Sequence, residues 1–368
     1  MDERVREHAR TLVDWSARIE AGDDVVVRVG PDAHDLAVAV AEELGKRGAN
    51  VVTTYASGEV TRAYLRAHEG DFEADPEYER ALLAAADAVL TLGGGRNTAA
   101  TADVPGERRQ AYDRARREIR TARLDTKWVL TEHPTRSLAQ QAGMSYEAYQ
   151  EFVYGAINRD WEAQAEKQAK VKEVLDDASE VRLVSGDDTD LTMSVEGRVA
   201  VNSAASVDYD SHNLPSGEVF TAPHATEGEV RFDVPMTING KRVRDVDLRF
   251  EDGAVVDYDA AQGEEAIAEV VETDDGARRL GELGIGMNRG IDRVTDNILF
   301  DEKMGDTVHL ALGRAYSSNF PEGREGEANE SAVHVDLITD VSEDSRIVVD
   351  GETMQADGRF WFEDGFGE

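Results

Sequence analysis

The sequence predicts an α/β chain in two parts. A Rossmann-like parallel α/β domain over 1–178 is followed by a mostly antiparallel, β-rich α+β domain over 179–368. Three observations predict this. Apolar runs alternate with helical stretches in the first half, the pattern of strand–helix–strand units. A segment rich in Ala, Glu, Gln and Lys spans 145–178. Beyond it the pattern changes to short strand-like runs separated by Gly, Asp and Asn turns, which suits antiparallel hairpins.

Taken in order, residues 1–20 read as an amphipathic helix. The run 25–29 (VVVRV) is a buried strand, Gly30-Pro31-Asp32 a turn, and 36–45 a helix. Strands follow at 50–55, 89–92 and 128–130, with a helix ending over 82–88 and a tight turn at Gly93-Gly94-Gly95. The glycines after these strands complete neither Gly-x-Gly-x-x-Gly nor a Walker sequence, so they read as strand-end turns rather than a nucleotide cradle. Residues 145–178 read as bridging helices carrying Tyr146, Tyr149, Phe152, Tyr154 and Trp161. Strand-like runs then fall at 180–184, 191–195, 230–234 and 243–250, with an inserted helix at 263–281.

Composition narrows the function. The 368 residues hold 76 acidic against 40 basic side chains, a net charge of −36, and the acids are spread along the chain. There are only seven lysines. Such an even acidic surface suits high salt, where the screening length falls to roughly 3 Å at 1 M. It argues against nucleic acid, because no basic stripe exists to displace phosphate counterions. No apolar run reaches the ~18 residues needed to cross a membrane. The charged start MDERVREHAR has no apolar signal core, which argues against secretion. Cysteine is absent, excluding disulfides, thiol nucleophiles and thiolate metal sites. A reducing cytoplasm is consistent with that.

Chemistry concentrates in the C-terminal third. Glu218 stands in NLPSGEVF, Glu282 in GELGIG, His309 in VHLAL, and His334 and Asp336 share SAVHVD. Carboxylate oxygen and imidazole nitrogen without sulfur suit one or two divalent ions such as zinc, cobalt or manganese. His334 and Asp336 are two apart, so a strand puts them on one face. Burying them among valines is costly unless they bind metal or pair with each other.

These motifs resemble the aminopeptidase T family of dinuclear metallo-aminopeptidases. The matching stretches are NLPSGEVFTAP (213–223), GELGIGMN (281–288), DEKMGDTVHLALGRAY (301–316) and SAVHVD (331–336). Weaker matches run through the first half, at Pro134-Thr135, at 142–145 and at 189–191 with Gly197-Arg198. The chain reads as trimmed before the first motif, and PEGREGEANE (321–330) stands where a Gly-Gly-rich loop is expected. The resemblance implies a metal-binding catalytic domain with Glu218, Glu282, His309, His334 and Asp336 as ligands of two divalent ions, among zinc, cobalt, manganese and magnesium. It implies an active-site tyrosine at Tyr316, catalytic work for Glu218 and Glu282, peptide substrates with a free N-terminus, and a homodimer. Two other readings remain open on the residues: another metallohydrolase of amides or esters, and a non-catalytic α/β binding protein.

Overall fold

The computed structural model describes residues 1–74 and 76–367. The chain divides into two compact units, Met1–Arg159 with Ala205–Pro215, and Asp160–Ala204 with Ser216–Glu368. The sequence reading set its boundary at 178/179. In the structure the helix Trp161–Asp176 belongs with the second unit, because its face of Ala165, Val171 and Leu175 is buried there. The excursion at 205–215 returns to the first.

The first unit is built on a parallel sheet of order β2-β1-β3-β4-β8. Its strands are β1 (Asp24–Val29), β2 (Asn50–Tyr55), β3 (Ala88–Gly93), β4 (Lys127–Glu132) and the two-residue β8 (Asn213–Leu214). Valine-rich β1 and β3 are central and nearly wholly buried, as parallel strands covered by helices must be. Helix His34–Arg47 ends at Gly48 in the left-handed region, which caps its carbonyls without a Cβ clash. The helix expected over 1–20 is shorter: Glu3–Arg10 continues as a wider π-type turn, Thr11–Ser16.

The second unit holds two sheets. The larger has the order β11-β12-β10-β6-β5-β17-β18-β19, with β13 also paired to β12. It comprises β5 (Glu180–Ser185), β6 (Thr189–Ser194), β10 (His224–Phe232), β11 (Met236–Ile238), β12 (Lys241–Glu251), β13 (Ala254–Gln262), β17 (Ser345–Val349), β18 (Glu352–Ala356) and β19 (Arg359–Phe360). The smaller, of order β16-β15-β14-β9-β7, comprises β7 (Val201–Ser203), β9 (Glu218–Thr221), β14 (Leu280–Gly286), β15 (Thr307–Gly313) and β16 (His334–Asp340). One apolar core takes Leu191, Val230 and Phe250 from the first of these and Leu283, Ile285, Val308, Leu310 and Leu337 from the second. The helix expected at 263–281 stops early. It covers Glu264–Val271, after which Asp274 caps a short turn and β14 begins at Leu280.

Candidate metal centre

In β14, β15 and β16 side chains alternate between faces. Leu283, Ile285, Val308, Leu310 and Leu337 enter the core. The opposite face therefore receives Glu282, Gly284, His309, Ala311, His334 and Asp336. Antiparallel register lays them in rows. Ala311 stands between Glu282 and Asp336, and Gly284 lies directly across from His309. Glu218 enters from β9, opposite Gly286. The small residues make room: a Cβ on Gly284 would lie 2.0 Å from His309 Cε1. The imidazole fills the space that this glycine leaves empty.

All six residues singled out from sequence meet on this face. Glu218, Glu282 and His309 each offer a ligand atom, and these lie within 4.8 Å of one another, all buried. His309 Nε2 is 2.9 Å from Glu282 Oε1 and 3.8 Å from Glu218 Oε2. His334 Nε2 is 3.7 Å from Glu282 Oε2 and 3.5 Å from Asp336 Oδ1. The Tyr316 hydroxyl stands 3.5 Å from His334 Nε2, on the more exposed side. His334 Nδ1 donates to the Arg314 carbonyl at 2.8 Å, which turns Nε2 toward the carboxylates. That is how a protein fixes the tautomer of a metal-ligating imidazole.

The electrostatics are those of crowded carboxylates. Burial raises the Glu218 carboxyl, against the pull of Lys303 and His309. Burial alone would lower His309, but the Glu282 hydrogen bond and the charges of Glu282, Glu218 and Asp336 outweigh it and raise it to about 9. His334 is likewise driven down by burial and up, more strongly, by Asp336 and Glu282, to about 9. Asp336 is pushed up by burial yet ends below its ordinary value, held there by His334 and His309. Burial raises the Tyr316 phenol. Glu218 Oε2, Glu282 Oε2 and His309 Nδ1 are buried without a hydrogen-bond partner. Orphaned acceptors on adjacent carboxylates are the mark of a place meant for a cation.

Sequence reasoning passed over several supports. Lys303 is fully enclosed, 3.8 Å from Glu218 Oε1 and in contact with Glu302. Burial lowers its ammonium, opposed by Glu218, Asp336 and Glu282. Its position inside DEKM, in a chain with seven lysines, was the available signal. Gln168 Nε2 donates to Asn202 Oδ1 (2.9 Å), the Ser203 carbonyl (3.1 Å) and the Glu218 carbonyl (2.8 Å), so the helix Trp161–Asp176 pins the backbone that presents Glu218. Gln164 holds Gln168 in turn. Gly217 precedes Glu218 at φ +116°, where a Cβ would lie 2.7 Å from Asn288 Cβ.

Residues 1–366 match the thermophilic metalloprotease family M29. The chain belongs to that family. Aminopeptidase T of Thermus aquaticus is 29% identical over 375 residues, covering 91% of this chain and 92% of the relative. The structure of wild-type AmpT from Thermus thermophilus superposes with a TM-score of 0.84 at 27% identity, over 98% of this chain and 99% of that one. A 2,5-dihydroxypyridine dioxygenase from Pseudomonas putida shares the fold at a TM-score of 0.59 and 14% identity. Fold alone therefore does not fix the chemistry, and the side chains on the site face must. This M29 chain is a metalloprotease with an α/β unit and a β-rich unit, and among its described residues no helix is long and apolar enough to cross a membrane.

Proposed function

We propose that this chain is a metal-dependent aminopeptidase, releasing N-terminal amino acids from peptides, with two divalent ions held by Glu218, Glu282, His309, His334 and Asp336. The observation that carries the reading is the buried triplet Glu218, Glu282 and His309, with ligand atoms within 4.8 Å and three polar atoms lacking any partner. The donor set fits zinc, cobalt, manganese or magnesium: nitrogen and carboxylate oxygen, no sulfur, and one imidazole already oriented by a backbone carbonyl. When bound there, such ions supply Lewis acidity and make hydroxide available near neutral pH.

The chain's own residues account for the rest. One of Glu218 and Glu282 accepts the nucleophile's proton, and their burial keeps water from competing for it. The Tyr316 hydroxyl donates a hydrogen bond to the oxygen of the tetrahedral intermediate. Lys303 offsets part of the negative charge beside Glu218. A free α-amine keeps a lone pair that the bound ions would accept and a blocked one does not, which favours substrates with a free N-terminus. The acidic surface and the lack of cysteine suit work in a salt-rich cytoplasm.

The test is hydrolysis of leucine p-nitroanilide and of its N-acetylated form by protein loaded with zinc, cobalt or manganese. The proposal expects cleavage of the free amine only. Cleavage of both forms at equal rates, or of neither, contradicts it.

A further inference from the structure

Beside the candidate centre, within the second unit, lies a cavity of about 250 Å³. His334 and Asp336 form part of its wall, so a molecule held at the centre reaches directly into it. Most of the rest of the wall is apolar, with Pro235, Met236, Ile238, Ile298, Val335 and Ile338, and the uncharged polar residues Thr237 and Asn239 complete the β11 side. Among the described residues no lysine or arginine lines it. Of its other carboxylates, Asp296 is paired with Arg242. Asp301 accepts from the Thr295 backbone N–H at 2.8 Å and from its hydroxyl at 2.7 Å. Neither is free to receive a basic ligand, and Asp301, whose partners carry no charge, repels an acidic one.

We propose that this cavity is the subsite for the side chain of the substrate's N-terminal residue, selecting aliphatic residues such as leucine and methionine against glutamate and aspartate. The proposal rests on the aminopeptidase reading above. In an exopeptidase the peptide beyond the scissile bond must run out to solvent, whereas the terminal residue can end in a bounded pocket. Here β11 and β16 line the cavity, and the exposed Tyr316 stands beside His334. An apolar pocket of this kind discriminates by roughly 10- to 200-fold per group that it buries. An acidic side chain loses that gain and meets the Asp301 carboxylate as well.

The experiment compares kcat/KM of the metal-loaded full-length protein on leucyl, alanyl, lysyl and glutamyl p-nitroanilides. The proteins are wild type, Ile298→Lys and Ile298→Ala. Ile298 is 47% exposed at the start of a short helix, so a lysine there can keep its charge in water. The proposal expects wild type to favour leucine over glutamate by at least about tenfold. Ile298→Lys should lower the leucine-to-glutamate ratio by about tenfold or more, and Ile298→Ala should lower the leucine-to-alanine ratio. Unchanged ratios in both variants, with cleavage retained, overturn the subsite and leave the aminopeptidase reading intact. So does a wild-type preference for lysine, or an Ile298 effect that follows the second residue of dipeptides and not the first. Failure of wild type to cleave any of the four overturns both.

Discussion

His8 in the first unit and His309 in the second are both fully enclosed, and the chain treats them in opposite ways. His8 Nε2 is 2.7 Å from the Thr131 hydroxyl, which spends its one hydrogen on the Leu214 carbonyl, so the imidazole is the donor and is neutral. Burial, with a contribution from His133, lowers it to about 3. His309 suffers the same burial but faces Glu282 and Glu218, which raise it to about 9. Burial by itself makes a histidine a structural donor. Burial with carboxylates on neighbouring strands of the same sheet face gives it the surroundings the proposed cation site needs. Both units leave buried polar atoms unmatched, His8 Nδ1 and His133 Nδ1 in the first and Glu218 Oε2, Glu282 Oε2 and His309 Nδ1 in the second; the difference is that the second sets two carboxylates beside its imidazole.

The contrast breaks most sharply on substitution. His309→Ala should lose bound metal and more than about 100-fold in activity, since even partners behind a ligand are worth 10- to 100-fold. His8→Ala should keep metal and activity in the folded protein while losing about 1–3 kcal/mol of stability. Elemental analysis, assay and thermal unfolding on the two proteins side by side check this. Equal metal content in both would erase the distinction. His334→Ala sharpens it. A ligand role predicts lost metal; a mere pair with Asp336 predicts unchanged metal and a loss of about 3–5 kcal/mol from the stranded carboxylate.

The effect of pH is next in size. In metal-free protein His309 and His334 have folded pKa values raised to about 9, above the ~6.5 of an unfolded chain. Their contribution to stability is complete below about 6.5 and is lost as pH rises through about 9. Because ligation needs neutral imidazole, metal should bind with proton release at pH 7, and more tightly as pH climbs toward 9. Unfolding midpoints from pH 6 to 10, with calorimetry in two buffers, measure both. His8, lowered to about 3 in the folded protein, should act in the opposite sense: its contribution grows as pH rises through about 6.5 and is constant above about 7.5. A flat midpoint in the metal-free protein would remove the contrast. The smallest effect is that of salt. With a net charge of −36, the unfolding midpoint should rise from low to molar KCl as repulsion is screened. A midpoint that falls would contradict a surface adapted to salt.

Much of the centre was legible because its residues sit in short strings whose strand period puts them on one face: His334 with Asp336, and His309 between apolar neighbours. The parallel sheet was legible from valine-rich runs such as β1. Gly284 was not, since its need to be glycine comes from His309 across a strand pairing that sequence does not give. Gln164 and Gln168 look like solvent-facing helix residues until their partners on β7 and β9 are known. The β17–β18 hairpin left a signal that was passed over. Asp350 and Gly351 both have positive φ, as the Asp-Gly turn requires. The helix expected at 263–281 ends early because Asp274 caps a new turn, and an aspartate in an acidic stretch does not announce itself as a cap.

A catalytic metal role for Glu218, Glu282, His309, His334 and Asp336 stands or falls on metal dependence. Its most direct test is to strip the protein exhaustively with chelator, verify the loss by elemental analysis, and add back cobalt or zinc while following leucine p-nitroanilide cleavage. Activity should vanish on stripping and return in proportion to bound ion, levelling off at two per chain. Full activity in protein shown to be free of metal would contradict the account.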